Sequence, residues 1–182
     1  MSVDYRKQGA QVFELLHNAK HVLILTHQKP DGDGLGSVSA LARYLHLREQ
    51  SHTAFCRDAV PEKFRFLPRS HVFTTRHGVF SDVSYDVVAC FDSPDLGYAG
   101  VSDWLPEASA TEATVINIDH HHDNTHYGDV NLVHGDAPST TLMLYHLFVN
   151  NGVFIDKDMA TALLTGLLTD TSNFSNPATT SE

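Results

Sequence analysis

Three short apolar segments constrain the fold of this chain more than any other feature of its sequence. They are HVLILTH at 21–27, DVVACFD at 86–92 and TVINIDHH at 114–121. Apolar runs of this length are typical of strands that are buried on both faces of a sheet. Segments with helical periodicity flank and separate them, and the clearest are DYRKQGAQVFELLHNAK, SVSALARYLHLREQ, PSTTLMLYHLFVNNG and KDMATALLTGLLTD. This alternation predicts an α/β fold with a doubly wound, mostly parallel sheet flanked by helices.

The boundaries of several elements can also be predicted. Ser37 is expected to cap the helix after the first strand, and Asp156 is expected to cap the last helix. A weaker strand is expected within HTAFCRD (52–58), and VPEKFRFLPRS (60–70) is expected to be a connection with one turn of helix. TTSE (179–182) resembles the start of a helix, so the natural chain is expected to continue beyond it.

Length and charge limit the class of protein. With 182 residues, the chain is expected to form one domain, 1–182. Its net charge is −10, from 12 Lys and Arg against 22 Asp and Glu, whereas the binding of long nucleic acid needs a basic surface. The composition therefore argues against long duplex nucleic acid as a partner. A bound divalent metal could still attract a small anionic substrate.

The sequence gives no sign of a membrane segment or of an oxidising compartment. No apolar run approaches the roughly 20 residues of a membrane helix, and the N-terminal MSVDYRKQGA lacks the apolar segment of a signal peptide. Cys56 and Cys90 form no CxxC motif and indicate no disulfide framework. A reducing, cytoplasmic location is therefore expected.

Side chains with metal-ligating chemistry follow each of the three apolar segments, and one more ends the last helix. They are His27, Asp31 and Asp33 after the first, Asp92 and Asp95 after the second, Asp119, His120, His121 and His122 after the third, and Asp170 at the helix end. The carboxyl ends of parallel strands lie at one edge of a sheet, so the first three groups should meet there. Asp170 can join them if the last helix points its C-terminus to the same edge.

Each of these groups also has a simpler explanation. An Asp-Gly pair is common in turns, Asp92 could cap a strand end, Asp170 could be a solvated helix terminus, and a run of histidines could lie on the surface. Together these explanations require four coincidences at the same end of the same elements. A shared site is therefore the favoured interpretation.

The ligand types indicate a metal centre. Imidazole and carboxylate together suit Mn²⁺ or Mg²⁺, with Zn²⁺ as an alternative. The ligands are too many for one ion, but two ions about 3.5–4 Å apart that share a carboxylate would use them well. No Ser or Cys nucleophile with a partnered base is evident, and no P-loop motif is present. Gly32, Gly34 and Gly36 should allow close backbone approach before the helix at Ser37, whose N-terminus would favour a substrate phosphate.

Four segments, in order, resemble the motifs of the DHH phosphoesterase superfamily: HQKPDGDGLGS, FDSPD, IDHHH and GLLTDTSNF. CRDAVPEKFRFLP and HYGDVNLV are similar to connecting segments of the branch that degrades very short RNA (nanoRNase or oligoribonuclease) and dephosphorylates 3′-phosphoadenosine 5′-phosphate. The resemblance covers essentially the whole chain. It implies phosphoester hydrolysis with two Mn²⁺ ions, with short RNA, dinucleotides or nucleotide bisphosphates as partners, and it leaves room for a homodimer.

The resemblance also assigns roles to individual residues. His27, Asp31 and Asp92 would hold one metal, and Asp33, Asp92, His120 and Asp170 would hold the other, with Asp92 bridging. His121 would meet the substrate phosphate, and Asp119 would orient the adjacent histidines. His121, Asp92 and Asp119 are thus the predicted catalytic residues, and His121 and Ser37 are the predicted substrate-binding residues.

Three departures from the family pattern stand out. Tyr98 lies near a position where this branch often has an Arg, so a phosphate or structural contact is not expected there. His122 matches no fixed ligand and is expected to be a bystander. Members normally carry a second, smaller C-terminal domain with a glycine-rich, His-containing motif that closes over the metal site, and these 182 residues lack it. The chain by itself is therefore expected to be weakly active or inactive.

Other functions compete with this one. A 5′→3′ single-strand exonuclease of the same superfamily would need an electropositive channel for the strand, which the acidic composition disfavours. Hydrolysis of pyrophosphate or polyphosphate is a further enzymatic alternative. A non-catalytic metal- or nucleotide-binding module is the alternative from another class, and the presence of every candidate ligand disfavours it.

Overall fold

Six strands form one parallel sheet in the computed structural model of the chain, which describes residues 3–105, 113–175 and 179. The strands are β1 His21–Thr26, β2 Ser51–Phe55, β3 Phe73–Thr74, β4 Val87–Phe91, β5 Thr114–Asp119 and β6 Val130–Val133. Their order across the sheet is β3-β2-β1-β4-β5-β6, and each neighbouring pair runs parallel. The predicted doubly wound sheet is confirmed, and its described strands are all parallel rather than mostly so.

Helices cover both faces of this sheet. They are α1 Val3–Asn18, α2 Gly32–Leu47, α3 Val79–Asp82, α4 Leu96–Ala99, α5 Thr140–Asn150 and α6 Lys157–Asp170. One core cluster joins the sheet to α1, α2, α5 and α6, and a second cluster joins the opposite face to α3 and α4. Within the described ranges, no helix has both the length and the apolar character that crossing a membrane requires.

The side chains of β1 show how an apolar strand serves both cores. Val22 and Ile24 belong to the first cluster, whereas Leu23 and Leu25 belong to the second. Successive side chains of a strand point to opposite faces, and helices lie on both sides, so every position of the run must be apolar. The continuous apolar pattern that predicted these strands therefore has this direct cause.

Several predicted boundaries need correction. The helix after β1 begins at Gly32 with Asp31 as its N-cap, so the prediction that Ser37 caps it is wrong. β3, β6, α3 and α4 were not predicted. Asp156 does cap α6, because its carboxylate accepts the N–H of Met159 at 2.8 Å. The expected turn of helix within 60–70 is also present, and TTSE lies outside the described residues except for Thr179.

Glycines allow α2 and α6 to pack in close contact. A Cβ at Gly36 would clash with the backbone of Ala162, and a Cβ at Gly32 would clash with the side chain of Thr169. Gly166 likewise leaves room for Thr141 and for the carboxylate of Asp33. Gly32 and Gly36 thus make the predicted close approach to α6, which brings the start of α2 to the end of α6.

β1 and β4 are neighbours at the point where the chain changes direction across the sheet. From β1 the order runs to β2 on one side, whereas from β4 it runs to β5 on the other. Such a reversal leaves a crevice at the carboxyl ends of the two strands, and ligands of open α/β sheets bind there.

Candidate metal centre

The carboxyl ends of β1, β4 and β5 meet the C-terminus of α6 at this crevice. The potential ligand atoms form three overlapping groups, and the atoms of each group lie within 4.8 Å of one another. The groups are His27, Asp31 and Asp92; Asp33, His120 and Asp170; and Asp92, His120 and His121. The structure therefore brings together every residue predicted as a metal ligand, and it includes Asp170 because α6 ends at this edge.

Asp92 lies between two of these groups. Its Oδ2 is 3.6 Å from Nε2 of His27, and its Oδ1 is 3.6 Å from Nε2 of His120. The backbone N–H of Asp92 still donates to the carbonyl of Ile118 at 3.0 Å, but its φ of 56° is left-handed, which Asp adopts more readily than most residues. The chain thus turns where β4 ends, and the two carboxylate oxygens face two different histidines.

Hydrogen bonds define which ring nitrogen of these histidines is free. Nδ1 of His27 lies 2.8 Å from the carbonyl oxygen of Gln28, and Nδ1 of His120 lies 3.0 Å from that of Ala137. A carbonyl oxygen can only accept, so Nδ1 carries a proton in both rings. In the neutral rings the lone pair is then on Nε2, the atom that faces the carboxylates, as is usual for a metal-binding histidine.

Asp31 combines exposure with a structural role. Its side chain is 54% exposed, and its carboxylate accepts the N–H groups of Asp33 and Gly34 at 2.9 and 3.2 Å. Partial burial opposes ionisation, but His27 and the backbone N–H groups of Gly34 and Asp33 together outweigh it and lower the pKa of Asp31. Burial likewise disfavours the charged ring of His27, yet Asp31 and Asp92 raise the pKa of His27 to about 10. A cation that binds Nε2 of His27 must therefore displace a proton.

Asp33 is fully buried and bonded to the start of α5. Its carboxylate accepts the backbone N–H of Thr140 at 2.6 Å, the N–H of Thr141 at 2.9 Å and the hydroxyl of Thr141 at 2.7 Å. A helix N-terminus favours a nearby negative charge. Even so, burial and the charge of Asp92 raise the pKa of Asp33 well above its usual range.

Asp170 and His120 complete this side of the centre. Oδ2 of Asp170 is 3.4 Å from Nε2 of His120, and Oδ2 of Asp33 is 3.9 Å from the same atom. Burial raises the pKa of Asp170, and the nearby His120 opposes this effect. Because crowded carboxylates repel one another, positive charge would stabilise them. The donor set therefore fits divalent cations.

A second pair of residues lies beside the bridging carboxylate. Nδ1 of His121 donates to Oδ1 of Asp119 at 2.8 Å, and this bond raises the pKa of His121 to about 9. Asp119 is fully buried and also accepts from the side-chain amide of Asn124 at 2.6 Å. Burial opposes its ionisation, but the bonds from His121 and Asn124 prevail and lower the pKa of Asp119. Asp119 is therefore an ionised acceptor that fixes the ring of His121.

The sequence analysis did not predict the polar residues that hydrogen-bond to Asp33, Asp92 and Asp119. Thr140 and Thr141 bind Asp33, and the hydroxyl of Thr140 also donates to Asp92 at 3.2 Å. Asn117 is buried and joins Asn124 to β5 through a bond of 2.8 Å. Two features of the sequence could have indicated these residues. They are the Ser-Thr-Thr run at the start of a helix and the Asn inside the apolar segment TVINID.

Three other candidates lie outside the ligand groups. Ser37 is inside α2 and fully buried, so this conformation does not support its predicted contact with substrate. Asp95 caps α4 by accepting the N–H of Tyr98 at 2.8 Å. His122 packs against Gly135, where a Cβ would clash with the ring.

The fold and the site define an α/β domain with an imidazole- and carboxylate-rich candidate metal centre. Residues 21–167 match the family model described as DHH family, N-terminal domain. The match spans most of the chain, and the chain belongs to the DHH family. The resemblance predicted from the four motifs is therefore confirmed.

Two curated relatives are similar to most of this chain. This chain is 32% identical over 161 residues to the bifunctional oligoribonuclease and PAP phosphatase NrnA of Thermus thermophilus. The aligned region covers 88% of this chain and 46% of the relative. The chain is 28% identical over 172 residues to the probable bifunctional oligoribonuclease and PAP phosphatase NrnA of Streptococcus mutans, covering 88% of this chain and 49% of the relative. The chain thus spans about half the length of these relatives.

Solved structures share the fold. An exopolyphosphatase-related protein from Bacteroides fragilis matches with a TM-score of 0.87 at 25% identity, over 97% of this chain and 53% of that protein. RecJ from Thermus thermophilus, crystallised with Mn²⁺, matches with a TM-score of 0.52 at 18% identity, over 88% of this chain and 23% of RecJ. At this lower identity the likeness to RecJ shows the fold alone.

Proposed function

We propose that this domain hydrolyses phosphoester bonds in short oligonucleotides, dinucleotides or 3′-phosphoadenosine 5′-phosphate, with two divalent cations as cofactors. The observation that carries the proposal is the position of Asp92. Its two oxygens lie at equal distances of 3.6 Å from Nε2 of His27 and of His120, as expected for a carboxylate that bridges two cations. The names of the curated relatives support nucleotides as the substrate class.

The cation ligands divide around Asp92. His27 and Asp31 would hold one ion, and Asp33, His120 and Asp170 would hold the other. Mn²⁺ is the proposed ion because mixed imidazole and carboxylate ligands suit it, and Mg²⁺ is the alternative. Such ions neutralise charge on phosphoryl oxygens and activate water for attack.

His121 is proposed to contact the phosphate rather than a cation. Its Nδ1 is occupied by Asp119, so Nε2 is the nitrogen left to meet a substrate. The charge of Asp119 favours the protonated ring, which can donate to a phosphoryl oxygen and can transfer a proton to a leaving oxygen. Asp119 and Asn124 would keep the ring in this orientation throughout the reaction.

A hydrolysis assay tests this function. The panel should contain a dinucleotide, 3′-phosphoadenosine 5′-phosphate, a single strand of about 24 nucleotides and pyrophosphate, each with Mn²⁺ and with chelator. We expect Mn²⁺-dependent cleavage of the first two. Preference for the long strand would indicate an exonuclease, and preference for pyrophosphate would indicate a phosphoanhydride hydrolase.

Asp92→Asn is the decisive variant for this assay. Asn tolerates a left-handed backbone as Asp does, so the fold should persist while the bridging charge is lost. Loss of residues that merely support metal ligands typically costs about 10- to 100-fold, and we expect a larger loss here. Asp82→Asn in α3 is the matched control. Retention by Asp92→Asn of the Mn²⁺-dependent turnover measured for the unaltered chain would contradict the proposal.

Other features stay predictions. They are a cytoplasmic location, the capacity to form a homodimer, and weak or absent turnover by these 182 residues when they are tested alone. Gel filtration with light scattering would measure the oligomeric state. The hydrolysis panel above would measure the turnover.

A further inference from the structure

Tyr98 places an exposed aromatic ring beside the candidate metal centre. Tyr98 as a whole is 46% exposed. The centre of its ring lies 5.1 Å from that of His27 and 6.0 Å from that of His121. The ring therefore adjoins both a proposed cation ligand and the residue proposed to contact the phosphate.

The backbone of Tyr98 is held on both sides. Its N–H donates to the carboxylate of Asp95 at 2.8 Å, and its carbonyl accepts the N–H of Gln28 at 3.4 Å. The short helix α4 ends at Ala99 and is capped by Gly100, whose φ of 74° suits glycine. Because the backbone is fixed while the ring stays open to solvent, a ligand that stacks on the ring would order little additional structure.

The surroundings of the ring favour a neutral aromatic ligand. The carboxylates of Asp31, Asp92 and Asp119 lie near enough to act on the phenol, and they would repel an anion that is not screened by cations. A nucleobase is uncharged and has a flat face that can stack on tyrosine whatever the base. The phosphate of the same nucleotide could then reach His121, beside which the ring lies.

We infer that Tyr98 is the platform on which the nucleobase next to the reacting phosphate stacks. This inference rests on the proposed function, because it takes the substrate to be a nucleotide. It assigns to this chain a residue that contributes to substrate preference and that contacts no reacting atom.

Binding of two ligands that differ only in the base tests the inference without turnover. Adenosine monophosphate and ribose 5-phosphate should be titrated by calorimetry into the Mn²⁺-loaded protein. We expect the unaltered chain to bind the nucleotide roughly 5- to 140-fold more tightly, as for other bases stacked on aromatic side chains. Tyr98→Ala should remove this preference, whereas Tyr98→Phe should retain it.

Tyr145 provides a matched control. It is 40% exposed on α5 and packs its ring against His146, with ring centres 5.4 Å apart. Tyr145→Ala should therefore keep the full preference for the nucleotide. Both alanine variants remove an exposed tyrosine that contacts a histidine, so a general effect on the surface would appear in both.

Four outcomes would overturn the inference. They are no preference for the nucleotide in the unaltered chain, no detectable binding of either ligand, equal weakening of both ligands by Tyr98→Ala, and loss of the preference in Tyr98→Phe. Equal weakening would mean that the ring only positions His27, and the last outcome would assign the contact to the hydroxyl. Each would leave the proposed function intact, because that function is judged by Mn²⁺-dependent turnover and its loss in Asp92→Asn.

Discussion

Asp31 and Asp33 lie two residues apart at the start of α2, yet they occupy opposite environments. Asp31 is 54% exposed, whereas Asp33 has no exposed side-chain surface. Asp31 belongs with His27 to what we call the first wall of the centre, and Asp33 belongs with His120 and Asp170 to the second wall. In the first wall His27 is buried and Asp31 lies in a capped turn that is open to solvent. In the second wall Asp33 is bonded to α5, and Asp170 is the last residue of α6. The two walls should therefore respond differently to the same kind of change.

The largest effect on stability is expected from Asp33→Ala. This change leaves the buried N–H groups of Thr140 and Thr141 without their acceptor. Each unsatisfied buried donor costs about 1–3 kcal/mol. Because the substitution also relieves the burial of Asp33 and its repulsion with Asp92, we expect a net loss of about 2–4 kcal/mol in the free energy of unfolding. Urea denaturation in chelator would measure it. Asp31→Ala is the control, with an expected loss of about 1 kcal/mol for an exposed cap. Equal losses in the two variants would contradict the distinction between the walls.

Asp119→Asn should affect catalysis but neither wall. The substitution keeps the buried shape and removes the charge that raises the pKa of His121 to about 9. We expect turnover to fall by about 10- to 100-fold, and the alkaline limb of its pH profile to move toward the ordinary histidine pKa near 6.5. Manganese content, measured by elemental analysis, should be unchanged. A loss of bound manganese would mean that Asp119 supports the metal ligands instead.

Cation binding at the first wall should strengthen as pH rises. In the metal-free chain, the pKa of His27 is about 10, above its value of 6.5 in an unfolded chain. The protonated ring of His27 therefore stabilises the folded, metal-free chain. This stabilisation is complete below pH 6.5 and is lost as pH rises through 10. Because Mn²⁺ competes with this proton, its affinity should increase by up to about tenfold per pH unit between 7 and 9. Calorimetric titration would show this trend, and its slope should be smaller in His27→Gln. An affinity that does not change with pH would exclude competition at His27.

The smallest effect is expected at the far end of the helix that carries Asp170. Asp156 caps α6 and pairs with Arg43 at 2.8 Å. Burial opposes its ionisation, but the cap bond and Arg43 lower the pKa of Asp156. The ionised Asp156 therefore stabilises the fold at pH values above its unfolded pKa of about 3.9. This stabilisation is lost as pH falls through the lower pKa that Asp156 has in the folded chain. Asp156→Ala should cost about 1 kcal/mol at pH 7.

The control for this variant is Asp158→Ala, because Asp158 lies 3.5 Å from the same arginine but is more exposed. It should cost less than Asp156→Ala at pH 7. The deficit of Asp156→Ala should shrink in strong acid. A deficit that stays constant down to pH 2 would assign the effect to packing rather than to the charged cap.

The ligands of both walls could be predicted from the sequence. Each of them follows an apolar strand or ends a helix, and the parallel sheet places all of these positions at the carboxyl ends of its strands. The sequence could not predict what holds Asp33. Its partners Thr140 and Thr141 lie 107 and 108 residues further along the chain, and only the packing of α5 brings them near. The segment DGDGLGS also misled the prediction at Ser37, because glycine disfavours helix. Contact with α6 and the Asp31 cap offset that cost, so α2 begins at Gly32.

Short edge strands were missed for a different reason. β3 has two residues and β6 has four, and most of their side chains are only half-buried. An edge strand of this kind lacks the continuous apolar run that marked the central strands. The centre itself was predictable because it uses the central strands, whose pattern is the strongest in the chain.

Manganese stoichiometry tests the central claim most directly. The protein should be loaded with Mn²⁺ and analysed for bound metal by elemental analysis and by calorimetric titration, beside Asp92→Asn. We predict two ions in the unaltered chain and no more than one in the variant, because the carboxylate of Asp92 faces both walls at 3.6 Å. A single ion in the unaltered chain, or two ions retained without the Asp92 carboxylate, would contradict a centre bridged by this residue.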